Sequence, residues 1–372
     1  MRKIKVLYII DNLIKGAGTE NQLLGLITHL DKSEFFCTMV TLQPLNIEIR
    51  SLLGESGCDY LCLDVNKLLS LNGLKAMMRL RKYIRNNRID IVQTFFIDAN
   101  IIGVMTAFLA GHCRCVVSRR DLGYWYTPRL LFYLRRLNRL ADYFLVNAEA
   151  VKKVVSKTER VKPEKIKVIY NGVFKLPGEV NPNINRRAFN IPAEASVVGI
   201  VANLRPVKRL DVFIRMAASL PNQNVYFMII GKGDERDNLL NLAREMKLDS
   251  RLIITHSAEN IYDYISLFDI GVLTSDSEGL SNTLIEYQLC GIPAVAFEVG
   301  GNGEIIVDGQ TGFLIAEKDP LVMAERISLL LNDRPLRDEM GRAAAASAKT
   351  RFAGDKMIKD TCDFYKSIAG SN

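Results

Sequence analysis

Apolar and polar positions alternate on two scales along this chain. Short apolar runs recur at 4–10, 35–42, 59–65, 89–95, 113–119 and 142–148, each bounded by polar or turn-forming residues. Their length and β-branched content predict buried strands. Between several of them lie stretches such as "NQLLGLITHL" and "GLKAMMRLRKYIRNN", with apolar residues every third or fourth position. That period predicts helices with one face on a core. Strands alternating with helices imply βαβ units and a doubly wound parallel sheet.

The pattern breaks near 172–192, in the stretch "NGVFKLPGEVNPNINRRAFNIP" that starts at Asn171, where Pro, Asn and Gly suit a linker. Alternation restarts with strands expected at 196–204, 225–231, 251–255, 268–275 and 293–299. A chain of 372 residues exceeds what one core usually serves. The expectation is two domains, 1–175 and 176–354, with an amphipathic tail helix at 355–372 that packs back on the first. In open α/β sheets, ligands sit beyond the carboxyl ends of the strands, so two such sheets facing each other would hold a ligand in a central cleft.

Apolar content of 48% and charged content of 24% exclude wholesale disorder. "MRKIKVLYIIDN" is too short for a signal core, and "IIGVMTAFLAG" at 101–111 is too short to span a bilayer. A cytoplasmic protein is therefore expected. Seven cysteines form no C-x-x-C pair and there are three histidines, so reduced structural thiols are expected rather than a zinc site. No D-x-D pair is present, which leaves a magnesium site without obvious ligands; no cofactor or metal is expected.

The net charge of +8 is uneven. Residues 1–180 carry 28 Lys/Arg against 16 Asp/Glu, and residues 181–372 carry 21 against 25. A basic first half implies an anionic partner on that side: a membrane surface, a phosphorylated acceptor or nucleic acid. The segment 121–144, "DLGYWYTPRLLFYLRRLNRLADYF", mixes Arg with Trp, Tyr and Phe, as peripheral docking on acidic lipid requires; a helix packed on its sheet with a basic outer face is the other reading. No nucleic-acid reader motif accompanies the basic half, so a nucleic-acid partner is not expected.

Four strand-to-helix turns could carry chemistry. Gly16 and Gly18 in "GAGTE" permit a tight turn into a helix whose N-terminus could face an anion. Arg205 and Lys208 in "NLRPVK" could neutralise a diphosphate without a metal. Gly231 and Gly233 in "IIGKGDE" would let a nucleotide approach the backbone. "SEGLSNTLIE" places Glu278 in a loop and Glu286 in the second turn of a helix, with helix-start amides around Leu280, Ser281, Asn282 and Thr283. That separation is too wide for two acids sharing a proton or gripping one metal. Each carboxylate can instead accept a pair of hydroxyls, as ribose or hexose supplies. "EVGGNGEII" adds Gly300, Gly301, Gly303 and Glu304 near the same edge.

"EGLSNTLIE" resembles the E-x7-E motif of retaining, nucleotide-sugar-dependent glycosyltransferases of family 4, which have the GT-B fold. "GAGTE", "IKVIYNGV", "NLRPVK", "IIGKGDE", "VGGNGEII" and "DGQTGFLI" match in order along the chain. The resemblance implies two doubly wound Rossmann-like domains facing a central cleft. It implies transfer of a hexose or N-acetylhexosamine from a nucleotide-diphosphate sugar to a glycan or polyprenyl-linked acceptor in cell-surface polysaccharide synthesis. Glu286 would hold the ribose, Glu278 would lie by the sugar, and the amides of Leu280 to Asn282 would hold sugar and diphosphate. Lys208 and an arginine would neutralise the leaving group, and Gly18 would let its loop approach it. The chain departs from the family where many members carry Arg, here Asn203, which passes that role to Arg205. Ala17 replaces one of two adjacent glycines. A family His is replaced within "SRRDLGYW", which leaves Asp121 as the acceptor-side candidate. These departures also fit a catalytically silent subunit, whereas the absence of G-x-G-x-x-G argues against a dinucleotide oxidoreductase.

Overall fold

The computed structural model describes residues 2–14, 18–175, 177–178, 181–221, 224–256 and 260–369, and these divide into two compact units. One comprises Met1–Phe174 with Gly354–Asn372, the other Lys175–Ala353. The tail therefore belongs to the first unit, and the division falls one residue earlier than the sequence reading placed it.

The first unit runs β1 (Ile4–Ile10), α1 (Gly18–His29), β2 (Phe35–Thr41), α2 (Ile47–Glu55), β3 (Asp59–Cys62), α3 (Leu71–Asn86), β4 (Ile91–Phe95), α4 (Ile97–Ala110), β5 (Arg114–Arg119), α5 (Pro128–Leu137), β6 (Tyr143–Val146), α6 (Glu149–Thr158) and β7 (Ile166–Val168). Its parallel sheet has the order β3-β2-β1-β4-β5-β6-β7. Val6 to Ile10 of β1 and Ile91 and Val92 of β4 are wholly buried, as strands covered on both faces must be. Helix starts follow side-chain caps: Asn46 accepts from Ile49 N at α2, Ser70 from Gly73 N at α3, and Thr127 from Leu130 N at α5.

The second unit runs β8 (Ser196–Val201), α7 (Leu210–Ser219), β9 (Val225–Ile230), α8 (Arg236–Glu245), β10 (Leu252–Thr255), α9 (Ile261–Ile265), β11 (Ile270–Leu273), α10 (Asn282–Leu289), β12 (Ala294–Phe297), β13 (Gly312–Ile315), α11 (Pro320–Asn332) and α12 (Arg334–Arg351). Its sheet order is β10-β9-β8-β11-β12-β13, again parallel throughout. The last helix, α13 (Gly354–Ala369), buries Met357, Phe364, Tyr365 and Ile368 in the first unit's core, and the Tyr365 hydroxyl bonds Gln93 beneath the sheet. Each unit has its own hydrophobic cluster. Among the described residues no helix is long and apolar enough to cross a membrane.

Two strands escaped the sequence reading. β7 is three residues long, and β13 follows the Gly309 to Gly312 turn with four. Both lie at sheet edges, where a strand needs little apolar length. The expected strands otherwise occur, generally shortened at their carboxyl ends, because the residues beyond leave the ladder to form turns.

One packing constraint shapes the second unit. β8 and β11 pair only at Ile270↔Val198 and Gly271↔Gly199. A Cβ on Gly199 would fall within the Phe268 ring, and one on Gly271 within the Tyr287 ring. The two glycines thus make room for two aromatic rings, whose centroids lie 6.0 Å apart. Gly271→Ala should destabilise the second unit by roughly 1–3 kcal/mol through overpacking. Gly54→Ala, in open space on α2, should stabilise the first unit by about 0.5–1 kcal/mol. Urea unfolding of the two variants would show shifts of opposite sign.

Candidate functional site

The sheet order of the second unit reverses direction between β8 and β11, so the crevice expected at such a switch point opens beyond Val201 and Leu273. Beyond their two paired positions the strands diverge, and the freed backbone groups are taken by α10. The Tyr287 hydroxyl accepts from Val201 N at 2.7 Å and lies 3.4 Å from Val272 O, its acceptor. The Thr283 hydroxyl donates to Val201 O at 3.3 Å. Ser281 caps the helix by accepting from Leu284 N. The first two turns of α10 are therefore fixed to the mouth of the crevice.

The turn after β8 is held against the turn after β11. Asp276 N donates to Val207 O at 2.8 Å, and the Thr274 hydroxyl donates to Lys208 O at 2.8 Å. Lys208 Nζ then reaches Glu278 Oε1 at 2.6 Å, with side chains 24% and 11% exposed. Asp276 joins Arg209 at 3.4 Å and Lys318 at 2.8 Å. Burial works against ionisation of Asp276, but these two cations hold its carboxyl below the usual carboxylate range. Gly301 N bonds Gly279 O at 3.0 Å, bringing the "VGGNGE" turn beside Glu278. Arg205 is exposed on the same turn as Lys208 and forms no ion pair among the described residues.

Glu286 differs from Glu278. Its carboxyl has no hydrogen-bond or ion-pair partner among the described residues, and desolvation alone pushes it up to about 7. It lies close enough to Tyr262 and Cys290 to raise both, behind the larger effect of their own burial. A desolvated carboxylate without a donor is costly to ionise, and hydroxyl groups in a ligand would relieve that cost.

Of the predicted residues, Lys208, Arg205, Glu278, Leu280, Ser281, Asn282, Thr283 and Glu286 all belong to the two turns and the helix at the second unit's switch point. Gly231 and Gly233 follow β9. The positions of their missing side chains are filled by Ala202 O and Leu204 O, so close packing of the chain on itself accounts for glycine there. Gly18 and Asp121 lie in the first unit. Gly18 opens α1, and Asp121 Oδ1 accepts from Gly123 N at 2.8 Å in the turn after β5. Gly16 and Ala17 lie outside the described residues. Sequence reading missed the Lys208–Glu278 pair and the Tyr287 clamp, because the first joins residues 70 positions apart and the second joins a side chain to a strand end 86 positions away. Among the described residues no group of three or more His, Cys, Asp or Glu could hold a metal.

Comparison with known proteins matches both units. Residues 17–174 fit the model for Glycosyltransferase Family 4, and residues 182–347 fit that for glycosyl transferases group 1. The chain is 25% identical over 240 residues to the N-acetyl-alpha-D-glucosaminyl L-malate synthase of Bacillus anthracis, covering 62% of this chain and 63% of that one. It is 24% identical over 307 residues to a Campylobacter jejuni N-acetylgalactosaminyltransferase named for a diphospho-undecaprenol substrate, covering 79% and 80%. A D-inositol 3-phosphate glycosyltransferase of Mycolicibacterium smegmatis shares 29% over 216 residues, 56% of this chain and 49% of the relative. The matches thus span from about half to four fifths of these relatives. In fold, the chain is similar to Anabaena HepE in complex with UDP and glucose, with TM-score 0.85, 21% identity and coverage of 98% and 100%. A Rickettsia africae glycosyltransferase gives TM-score 0.87 and 18% identity with both chains fully covered. With two parallel-sheet Rossmann-like units and a family match on each, the chain belongs to the glycosyltransferases of the GT-B fold.

Proposed function

We propose that this protein is a retaining hexosyltransferase. It would move a hexose or N-acetylhexosamine from a nucleotide-diphosphate sugar to a glycan or lipid-linked glycan acceptor, in cell-surface polysaccharide synthesis. The observation that carries this reading is Glu286: a carboxyl raised to about 7 and lacking any donor among the described residues, on the helix that lines the switch-point crevice. The paired hydroxyls of a ribose suit it. The names of three relatives refer to a malate, an inositol phosphate and a diphospho-lipid, and HepE was crystallised with UDP.

On this reading Lys208 leaves Glu278 to donate to the diphosphate, with Arg205 beside it, and Glu278 accepts from a hydroxyl of the sugar. Amides at the start of α10, from Leu280 to Thr283, bind the sugar and diphosphate, and Gly231 and Gly233 keep the neighbouring turn close-packed. The cations do the work otherwise done by a metal. The bond from the anomeric carbon to the diphosphate breaks as the acceptor oxygen bonds to the same face. The acceptor proton passes to the departing phosphate oxygen. Gly18 and Asp121 belong to the acceptor-side unit in this scheme.

The same reading places the protein at the inner face of a membrane. Tyr124, Trp125, Phe132 and Tyr133 are 47–62% exposed, and Arg136 lies over the Phe132 ring at 4.2 Å. Residues 122–141 contain four arginines and no acid. Aromatic rings with cations and no carboxylates suit an acidic lipid surface.

Glu286→Ala and Lys208→Ala should each reduce turnover by about 10²-fold or more, as for the loss of one preorganised contact; near-normal activity in either purified variant would overturn the assignment. Donor affinity should be steady above pH 7 and weaken below it, because ribose hydroxyls bind the ionised Glu286, whose folded pKa lies about there. Glu286→Gln should abolish that pH dependence, as titration calorimetry with UDP or GDP would show. The protein should co-sediment with anionic liposomes at low salt, and Arg129→Ala with Arg136→Ala should weaken this by roughly tenfold or more. Equal sedimentation of variant and parent would remove α5 from the contact.

A further inference from the structure

Two adjacent arginines leave β5, and their charges are treated differently. Arg119 is 4% exposed and held by Glu159, itself 2% exposed, through contacts of 2.9, 3.2 and 3.0 Å. Asn138 completes the set by donating to Glu159 at 2.8 Å. That cation is fully compensated inside the protein.

Arg120 has no such partner. Its Nη1 donates to Asn171 Oδ1 at 2.7 Å, a neutral acceptor, and its Nε is buried with no hydrogen-bond partner. It forms no ion pair with any described carboxylate. Tyr365 and then Glu20 of α1 act on it through their charge, and neither makes a bond to it among the described residues; the Glu20 carboxyl is itself raised by burial. Desolvation lowers the Arg120 guanidinium to about 10. A buried, unpaired cation is destabilising unless something supplies the opposite charge. Arg120 stands just past the carboxyl end of β5, with Asn171 beyond β7 and Glu20 beyond β1, at the edge where open α/β sheets bind ligands. Part of its surface remains open.

We propose that Arg120 is an anion-binding residue of the acceptor site: its guanidinium, oriented by Asn171, takes a phosphate group of the acceptor as its missing counter-ion. The inference rests on the glycosyltransferase reading and deepens it by naming the acceptor class, a phosphate-bearing one. Asn171 is the positioning residue, since it holds Nη1 and leaves the rest of the guanidinium to a ligand. The phosphate can be carried by a lipid or by a free sugar phosphate.

Phenylglyoxal labelling of the full chain, mapped by mass spectrometry, reads Arg120 separately from Arg205. Inorganic phosphate at millimolar concentration should slow Arg120 labelling by about fivefold or more, the effect expected of a charge-assisted contact, while Arg119 stays unlabelled. Neutral vesicles carrying a polyprenyl phosphate should protect Arg120 as well, and the same vesicles without it should not. Protection by polyprenyl phosphate but not by free phosphate would assign the lipid-borne source. An Arg120 that never labels, or labels at the same rate in every arm, overturns the proposal. The thermal shifts produced by UDP, GDP and ADP on the same preparation report the donor reading independently: the absence of all three with Arg120 protected would sink the donor assignment and leave this one standing.

Discussion

The second unit depends on how the hydroxyl of Tyr287 replaces a strand. β8 and β11 pair at only two positions before they part, which leaves Val201 N–H and Val272 C=O facing a gap. One phenol satisfies both, and its ring fits only because Gly271 has no side chain. Unpaired backbone groups at this depth would be costly, so the clamp keeps the crevice open and fixes α10 at its mouth together. Thr283 and the Ser281 cap then set the orientation of the helix, which carries Glu286. The chemistry of the site follows from a solution to a backbone hydrogen-bonding problem.

Charges in the two units divide into those paired within the chain and those without an ion-pair partner among the described residues. Arg119 with Glu159, and Arg209 with Asp276 and Lys318, are internal settlements. Lys208 with Glu278 is partly accessible at both ends, as the proposed exchange of partners on donor binding requires. Among the described residues Glu286 and Arg120 form no ion pair, and each is shifted toward its neutral form by desolvation. Uncompensated groups of this kind are where recognition is to be sought.

Much of the fold could be read from the chain. Wholly buried strands write continuous apolar runs, so β1, β4, β8 and β9 were visible directly. The short edge strands β7 and β13 were not, since three or four residues carry no period. In the site, the acids at 278 and 286 and the cations at 205 and 208 were legible as residue types in strand-to-helix turns. The Lys208–Glu278 bond was not, because it joins two turns that only the strand order makes adjacent. Gly231 and Gly233 show the opposite limit: the sequence marks a place where a side chain is excluded, and the structure shows that a neighbouring carbonyl does the excluding. Arg119 and Arg120 are indistinguishable in sequence and opposite in surroundings.

The central claim is that Glu286 holds the ribose and Lys208 the diphosphate of one donor. A crystal structure of the chain with a bound nucleoside diphosphate tests it most directly. The account predicts both ribose hydroxyls donating to the Glu286 carboxylate, with Lys208 Nζ moved from Glu278 onto a phosphate oxygen. A nucleotide bound with its ribose away from Glu286, or with the Lys208–Glu278 pair intact and the phosphates elsewhere, would contradict it.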